Sequence, residues 1–173
     1  MRSNQEENVQ EHSLQVAMIA HCLALIENKR YGGHLNPEHV MALAVFHETA
    51  EVITGDLVTP IKYYNHVITQ AFKEVEKVAE ERMINMLPEE LQEDYRPLIQ
   101  PQDPEEKKIV KAADTLAAYA KCLEELKTGN LEFEKAKQTL LCKIHEMKLP
   151  CAEDFLNEFI PSFEATLDEL NEK

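Results

Sequence analysis

The sequence predicts an all-α fold, a single compact bundle of about six or seven helices spanning residues 1–173. Three observations carry that expectation. Only four glycines occur in 173 residues, while leucine, alanine, glutamate and lysine dominate, a composition of helices rather than sheets. Apolar residues recur at helical spacing, and no stretch shows convincing period-two alternation. The punctuation is helical as well, with Asn-Pro and Asp-Pro pairs that open helices and Gly-containing runs that close them.

Each element follows in order. Val9, Val16, Ile19, Ala20, Leu23 and Ile26 form a 3.6-residue stripe on a first helix expected from about Gln5 to Asn28, and Tyr31-Gly32-Gly33 ends it. Asn36-Pro37 opens a second, with asparagine as N-cap and proline at the first helical position. Val40, Leu43, Ala44 and Ala50 mark its buried face, and Gly55 is its expected stop. The loop from Asp56 to Pro60 follows. A third helix, strongly charged on one side, covers about Asn65 to Met86, and a short piece runs from Pro88 to Ile99. Asp103-Pro104-Glu105-Glu106 starts a long helix that reaches about Lys127, where Thr128-Gly129-Asn130 closes it. Two more amphipathic helices finish the chain, and Pro161 is expected to kink or divide the last.

Charge and composition exclude several functions. The formal net charge of −14 opposes nucleic acid or an anionic membrane surface as a partner, because both need basic patches. It also opposes long-range steering of a phosphorylated substrate, so a phosphate site has to work by local contacts. No apolar run approaches the roughly 18 residues of a membrane span, and Met1 to Glu7 does not read as a signal peptide. The four cysteines, Cys22, Cys122, Cys142 and Cys151, lack zinc-type spacing and read as reduced thiols, which points to the cytoplasm.

The informative residues are polar ones on apolar helix faces. His12 precedes Val16 by four residues on the stripe that carries Ile19 and Leu23. His47 continues the line of Val40 and Ala44, Glu48 adjoins it, and Glu51 falls one turn further on. Asp114 sits among small residues in Lys111-Ala-Ala-Asp-Thr-Leu-Ala-Ala-Tyr119. Burying ionisable groups costs several kcal/mol unless they are paired or bind a metal. Imidazoles and carboxylates arriving from separate helices are a ligand set for a divalent cation. Singly, each has a plainer reading: His12 as a satisfied core histidine, His47 and Glu51 as a mutual hydrogen bond, Asp114 as a surface partner of Lys111.

Taken jointly, the runs from Glu7 to Ser13, Phe46-His47-Glu48-Thr49-Ala50-Glu51, Thr54 to Pro60 and Lys111-Ala-Ala-Asp114 resemble the HD-domain phosphohydrolases. More narrowly, they resemble the bacterial 5'-deoxynucleotidases, and the likeness extends into Lys121 to Leu126 and Pro161-Ser-Phe163. The resemblance implies an HD-domain helical bundle. It implies one divalent metal (cobalt, manganese, zinc, nickel or magnesium) on His12, His47, Glu48 and Asp114. Glu51 would be the acid/base group, and His12, Glu48, Asp56, Leu57, Val58 and Thr59 would contact a nucleoside 5'-monophosphate. A homodimer is implied too. Two departures stand out. The defining His-Asp is His47-Glu48 here, so the longer acid has to fold back and alters metal preference. The family's upstream segment, which carries a phosphate-orienting arginine and a tryptophan that reads the missing 2'-hydroxyl, is expected to be absent. The leading expectation is a metal-dependent phosphomonoesterase. A degenerate HD domain that binds metal or nucleotide as a sensor or assembly partner, and a plain helical interaction module, are the alternatives.

Overall fold

Local capping sets the helix boundaries. In the computed structural model, which describes residues 3–4, 7–55, 64–166 and 168–169, the first helix, α1, is Val9–Arg30. It begins at Asn8 because a reciprocal cap forms there: the Asn8 side chain accepts from the Gln10 and Glu11 amides at 2.9 and 3.0 Å, and Glu11 accepts from the Asn8 amide at 3.1 Å. Lys29 and Arg30 occupy its last turn, where cations suit the helix dipole. Helix α2 is Pro37–Phe46, capped by Asn36 as expected.

The expected continuation of α2 to Gly55 does not occur. After Phe46 the chain turns through 47–50 and then forms a short helix α3, Glu51–Thr54. Amide bonds across the break span three residues rather than four: Thr49 to Phe46, Glu51 to Glu48, Val52 to Thr49. The Thr49 hydroxyl donates to the Phe46 carbonyl at 2.6 Å, a local bond that competes with the helical ladder. Gly55, at φ +69°, closes α3 in a conformation that favours glycine.

Helix α4, His66–Asn85, has Asn65 as its cap, and α5 is Glu89–Ile99. Arg96 of α5 forks onto both Glu81 oxygens of α4 at 2.7 and 3.3 Å. The longest helix, α6, Pro104–Lys127, starts at Asp103 as predicted. A 3-10 turn at Leu131–Phe133 leads into α7, Glu134–Glu146. Helices α8, Pro150–Glu158, and α9, Ile160–Glu164, are the division expected at Pro161. Among the described residues there are thus seven helices of nine residues or more and two short ones, with no strand, and no helix is long and apolar enough to cross a membrane.

The core lies between α1 and α6. Helix α1 packs on α2, α6 and α8, and α6 also meets α7 and α9. Val16, Ala20, Leu23 and Ala24 of α1, Val40 and Ala44 of α2, and Ala113, Leu116, Ala117 and Ala120 of α6 are all fully buried. At the far end of α6, Glu125 is wholly buried. Its carboxylate accepts from the Ser3 hydroxyl, and from the Asn4 amide and the Asn130 side chain at 2.8 Å each, with Lys121 Nζ at 3.7 Å.

All four cysteines are free thiols. Burial pushes Cys122 up to about 11 and Cys151 up to about 12, the latter helped by the Glu27 carboxylate. Because the thiolate is the nucleophile, a mild thiol reagent is expected to modify exposed Cys142 first. Cys122 and Cys151 should react only on unfolding, which timed alkylation with mass mapping will check.

Candidate metal centre and active site

Three stretches of chain deliver four polar side chains to one corner of the bundle. His12 comes from the second turn of α1, His47 and Glu48 from the break after α2, and Asp114 from the middle of α6, flanked by buried Ala113 and Thr115. One donor atom from each lies within 4.8 Å of every other. His12 Nε2 is 3.4 Å from Asp114 Oδ1 and 3.7 Å from Glu48 Oε1, and His47 Nε2 is 3.8 Å from the same Glu48 oxygen. Ligands about 2.1 Å from a shared ion stand roughly 3–4.2 Å apart, depending on the angle between them, so the pairs at 3.4–3.8 Å already suit a shared cation. Glu48 keeps an oxygen inside the group despite its extra methylene.

The protonation pattern favours a cation. His47 Nδ1 lies 2.7 Å from the Ala44 carbonyl. A carbonyl only accepts, so Nδ1 carries a hydrogen, and in the neutral imidazole Nε2 presents its lone pair. That Nε2 is buried and has no hydrogen-bond partner, while a carboxylate oxygen lies nearby. A buried lone pair facing an anion is costly, and a metal ion between them removes the conflict. The donor set of two imidazoles and two carboxylates fits a divalent metal.

The other pair shows the same pull. The hydrogen bond to Asp114 raises the His12 imidazole above its ordinary value against the opposing effect of burial, with the charges of Glu48 and Asp114 adding to it. Burial works to raise Asp114, but the His12 hydrogen bond and the Lys111 ammonium outweigh it and hold the carboxyl well below the usual carboxylate range. Lys111 Nζ donates to Asp114 Oδ2 at 2.6 Å. The plain reading of Asp114 as a partner of Lys111 and the reading of it as a member of the cluster therefore hold together, one oxygen for each.

His47, Glu48 and Asp114 open onto a cavity of about 860 Å³, within the range of small-molecule sites. Glu51, on the first turn of α3, lines it as well. Asp56, Leu57, Val58 and Thr59 lie outside the described residues. The sequence reading missed the far wall, built from α4 and the segment Gln100-Pro101-Gln102. There burial pushes the Glu80 carboxyl up against the opposing hydrogen bond from Gln100. No motif marks those residues; only the exposed, charged face of α4 hinted that it borders something other than core.

A helical bundle with a His/His-Glu/Asp cluster at the mouth of such a cavity is an HD-domain phosphohydrolase by class. The crystal structure of an HD-domain phosphohydrolase from Listeria innocua superposes with a TM-score of 0.82 and 27% identity over 96% of this chain and 81% of that one. The PH0347 protein from Pyrococcus horikoshii shares the fold, with a TM-score of 0.67 over 94% of this chain and 85% of that one. Within the class, residues 1–163 match the family model of the 5'-deoxynucleotidase YfbR-like proteins, and the chain belongs to that family. It is 54% identical to 5'-deoxynucleotidase VV1113 of Vibrio vulnificus, over 99% of this chain and 89% of that protein. It is 48% identical to 5'-deoxynucleotidase YfbR of Escherichia coli O1:K1, over 99% and 87% respectively.

A divalent cation is expected to stabilise the fold through this cluster. At a hundredfold excess over its dissociation constant the gain is about 2.7 kcal/mol, or about 5–10 °C in Tm for a domain of this size. His47→Ala should abolish that shift in a thermal melt with and without metal.

Proposed function

We propose that the protein is a metal-dependent phosphomonoesterase that hydrolyses deoxyribonucleoside 5'-monophosphates to nucleoside and phosphate. The observation that carries this reading is the buried His47 Nε2, which has no hydrogen-bond partner, within a four-donor cluster that opens onto a cavity of about 860 Å³. Membership of the 5'-deoxynucleotidase family supports the substrate class. In this reading His12, His47, Glu48 and Asp114 hold the metal, and His12 and Glu48 also border the bound phosphate. A bound divalent ion supplies Lewis-acid activation of water and neutralises phosphate oxygen charge.

The chain's own residues do the rest. Glu51, on the cavity wall, orients a water for in-line attack and accepts its proton as the new P–O bond forms. The P–O5' bond then breaks, and the nucleoside oxygen leaves with a proton, which Glu51 can return. Ala44, through its carbonyl, fixes which nitrogen of His47 faces the cluster. The segment from Asp56 to Thr59 contacts the sugar and phosphate. Glu48 in place of aspartate shifts metal preference without removing the ligand.

The reading extends to a homodimer, as the family resemblance implies. Leu14 and Met18 on α1 and Met41 and Val45 on α2 are large apolar side chains left exposed, Leu14 and Met18 by 62% and 66%, and they suit an interface. A cytoplasmic location goes with it and accords with four free thiols.

The deciding experiment measures phosphate release from a panel of deoxy- and ribonucleoside 5'-monophosphates with cobalt, manganese or magnesium. Release from the deoxy forms is expected; none with any metal would overturn the reading in favour of a non-catalytic binding module. Glu51→Gln should cut kcat by about 10²- to 10⁴-fold while leaving metal affinity intact. Light scattering is expected to give twice the chain mass, and Met18→Glu should shift the protein toward monomer.

A further inference from the structure

The cluster poses a charge problem that the metal alone does not solve. Glu48, Glu51 and Asp114 bring three negative charges to one end of the cavity, and a divalent ion leaves that end negative. A phosphomonoester arrives as a dianion, at a protein of formal net charge −14. Between close charges in a partly desolvated site, repulsion amounts to kcal/mol rather than tenths. A local cation has to stand where the phosphoryl group binds.

Lys111 meets that requirement. It lies one turn before Asp114 on α6, and its side chain lines the same cavity as His47 and Glu51. Its Nζ sits 2.6 Å from Asp114 Oδ2, while Asp114 Oδ1 faces His12 Nε2 at 3.4 Å. The aspartate therefore holds the ammonium immediately beside the metal cluster, on the cavity side. The Lys111 side chain is 62% exposed, so it can lean toward a ligand without opening the core. An ammonium carries three donors, so Asp114 does not use its whole capacity. Lys107, one turn earlier on α6, lines the cavity too.

We propose that Lys111 binds the phosphate oxygens of the substrate, with Asp114 as its anchor and Lys107 as a weaker, outer electrostatic partner. The inference rests on the phosphomonoesterase reading for the identity of the ester. The phosphate subsite itself can be tested without turnover. The division of labour on Asp114 makes the site self-consistent: one residue both faces the metal and stations the cation that receives the anion.

The test is titration of inorganic phosphate into metal-loaded wild-type, Lys111→Met, Lys111→Arg and Lys107→Met proteins, beside a metal titration of each. Lys111→Met is expected to weaken phosphate binding about tenfold or more and to raise KM comparably, the size of one charge-assisted hydrogen bond. Lys111→Arg should restore most of it, Lys107→Met should cost about threefold, and metal affinity should not fall in any of them. Phosphate binding by Lys111→Met equal to wild type, or no phosphate binding by the wild type, would overturn the proposal. So would a parallel loss of metal affinity, which would make Lys111 a support for Asp114 alone. If wild-type protein bound phosphate through Lys111 yet released none from any nucleotide, the functional reading would fall and the lysine assignment would stand.

Discussion

Small side chains set the distance between α1, α2 and α6, and everything at the metal corner depends on that distance. Ala17, Ala20 and Ala24 on α1, Ala44 on α2 and Ala112, Ala113, Ala117 and Ala120 on α6 are all 2% exposed or less. Helix axes approach as closely as the side chains between them allow, to roughly 8–10 Å. Leu23, Leu116, Val16 and Val40 fill what remains. The result brings His12, Glu48 and Asp114, far apart in sequence, within reach of one ion. An extra methylene anywhere in this alanine seam would cost about 1–3 kcal/mol in strain. It would also move candidate ligands whose placement would matter to about 0.5 Å, so the same alanines bear on both packing and the site.

The cluster is a place where the fold works against itself. Two carboxylates and two imidazoles share a corner that is largely withdrawn from solvent, and the His12–Asp114 bond only partly relieves it. Hydrophobic residues there would make a more stable core. Such local conflict, supported by an otherwise consistent frame, is the signature of a functional site. The break after Phe46 belongs to the same design. Ending α2 there lets Glu48 project toward His12 while the Ala44 carbonyl, still in the helix, holds His47.

Much of this was legible in the sequence, for identifiable reasons. Caps are local, so Asn36 and Asp103 were found from two or three residues each. His12, His47 and Asp114 stood out because they interrupt apolar stripes, and a stripe is a periodic signal. The break at 47–50 was not visible: three-residue and four-residue turns differ by one hydrogen bond, and Ala50 continued the apolar face. Lys111 could be read as a partner of Asp114, but its place on a cavity wall depends on α4, whose packing no local pattern dictates. Nothing local marks Glu125 for burial, because its partners lie as far as 122 residues away.

That buried glutamate bears on how the chain can be handled. Its carboxylate gathers the Ser3 hydroxyl, the Asn4 amide and the Asn130 side chain at the end of α6, so the residues ahead of α1 form part of a polar core. Removing them would leave a charge sealed inside the protein with fewer donors. A recombinant version trimmed to the start of α1 would therefore look reasonable on an alignment of helices, yet would fold with a buried carboxyl group short of two donors. Tags and truncations at this end are better judged by whether they spare Ser3 and Asn4 than by how much helix they retain.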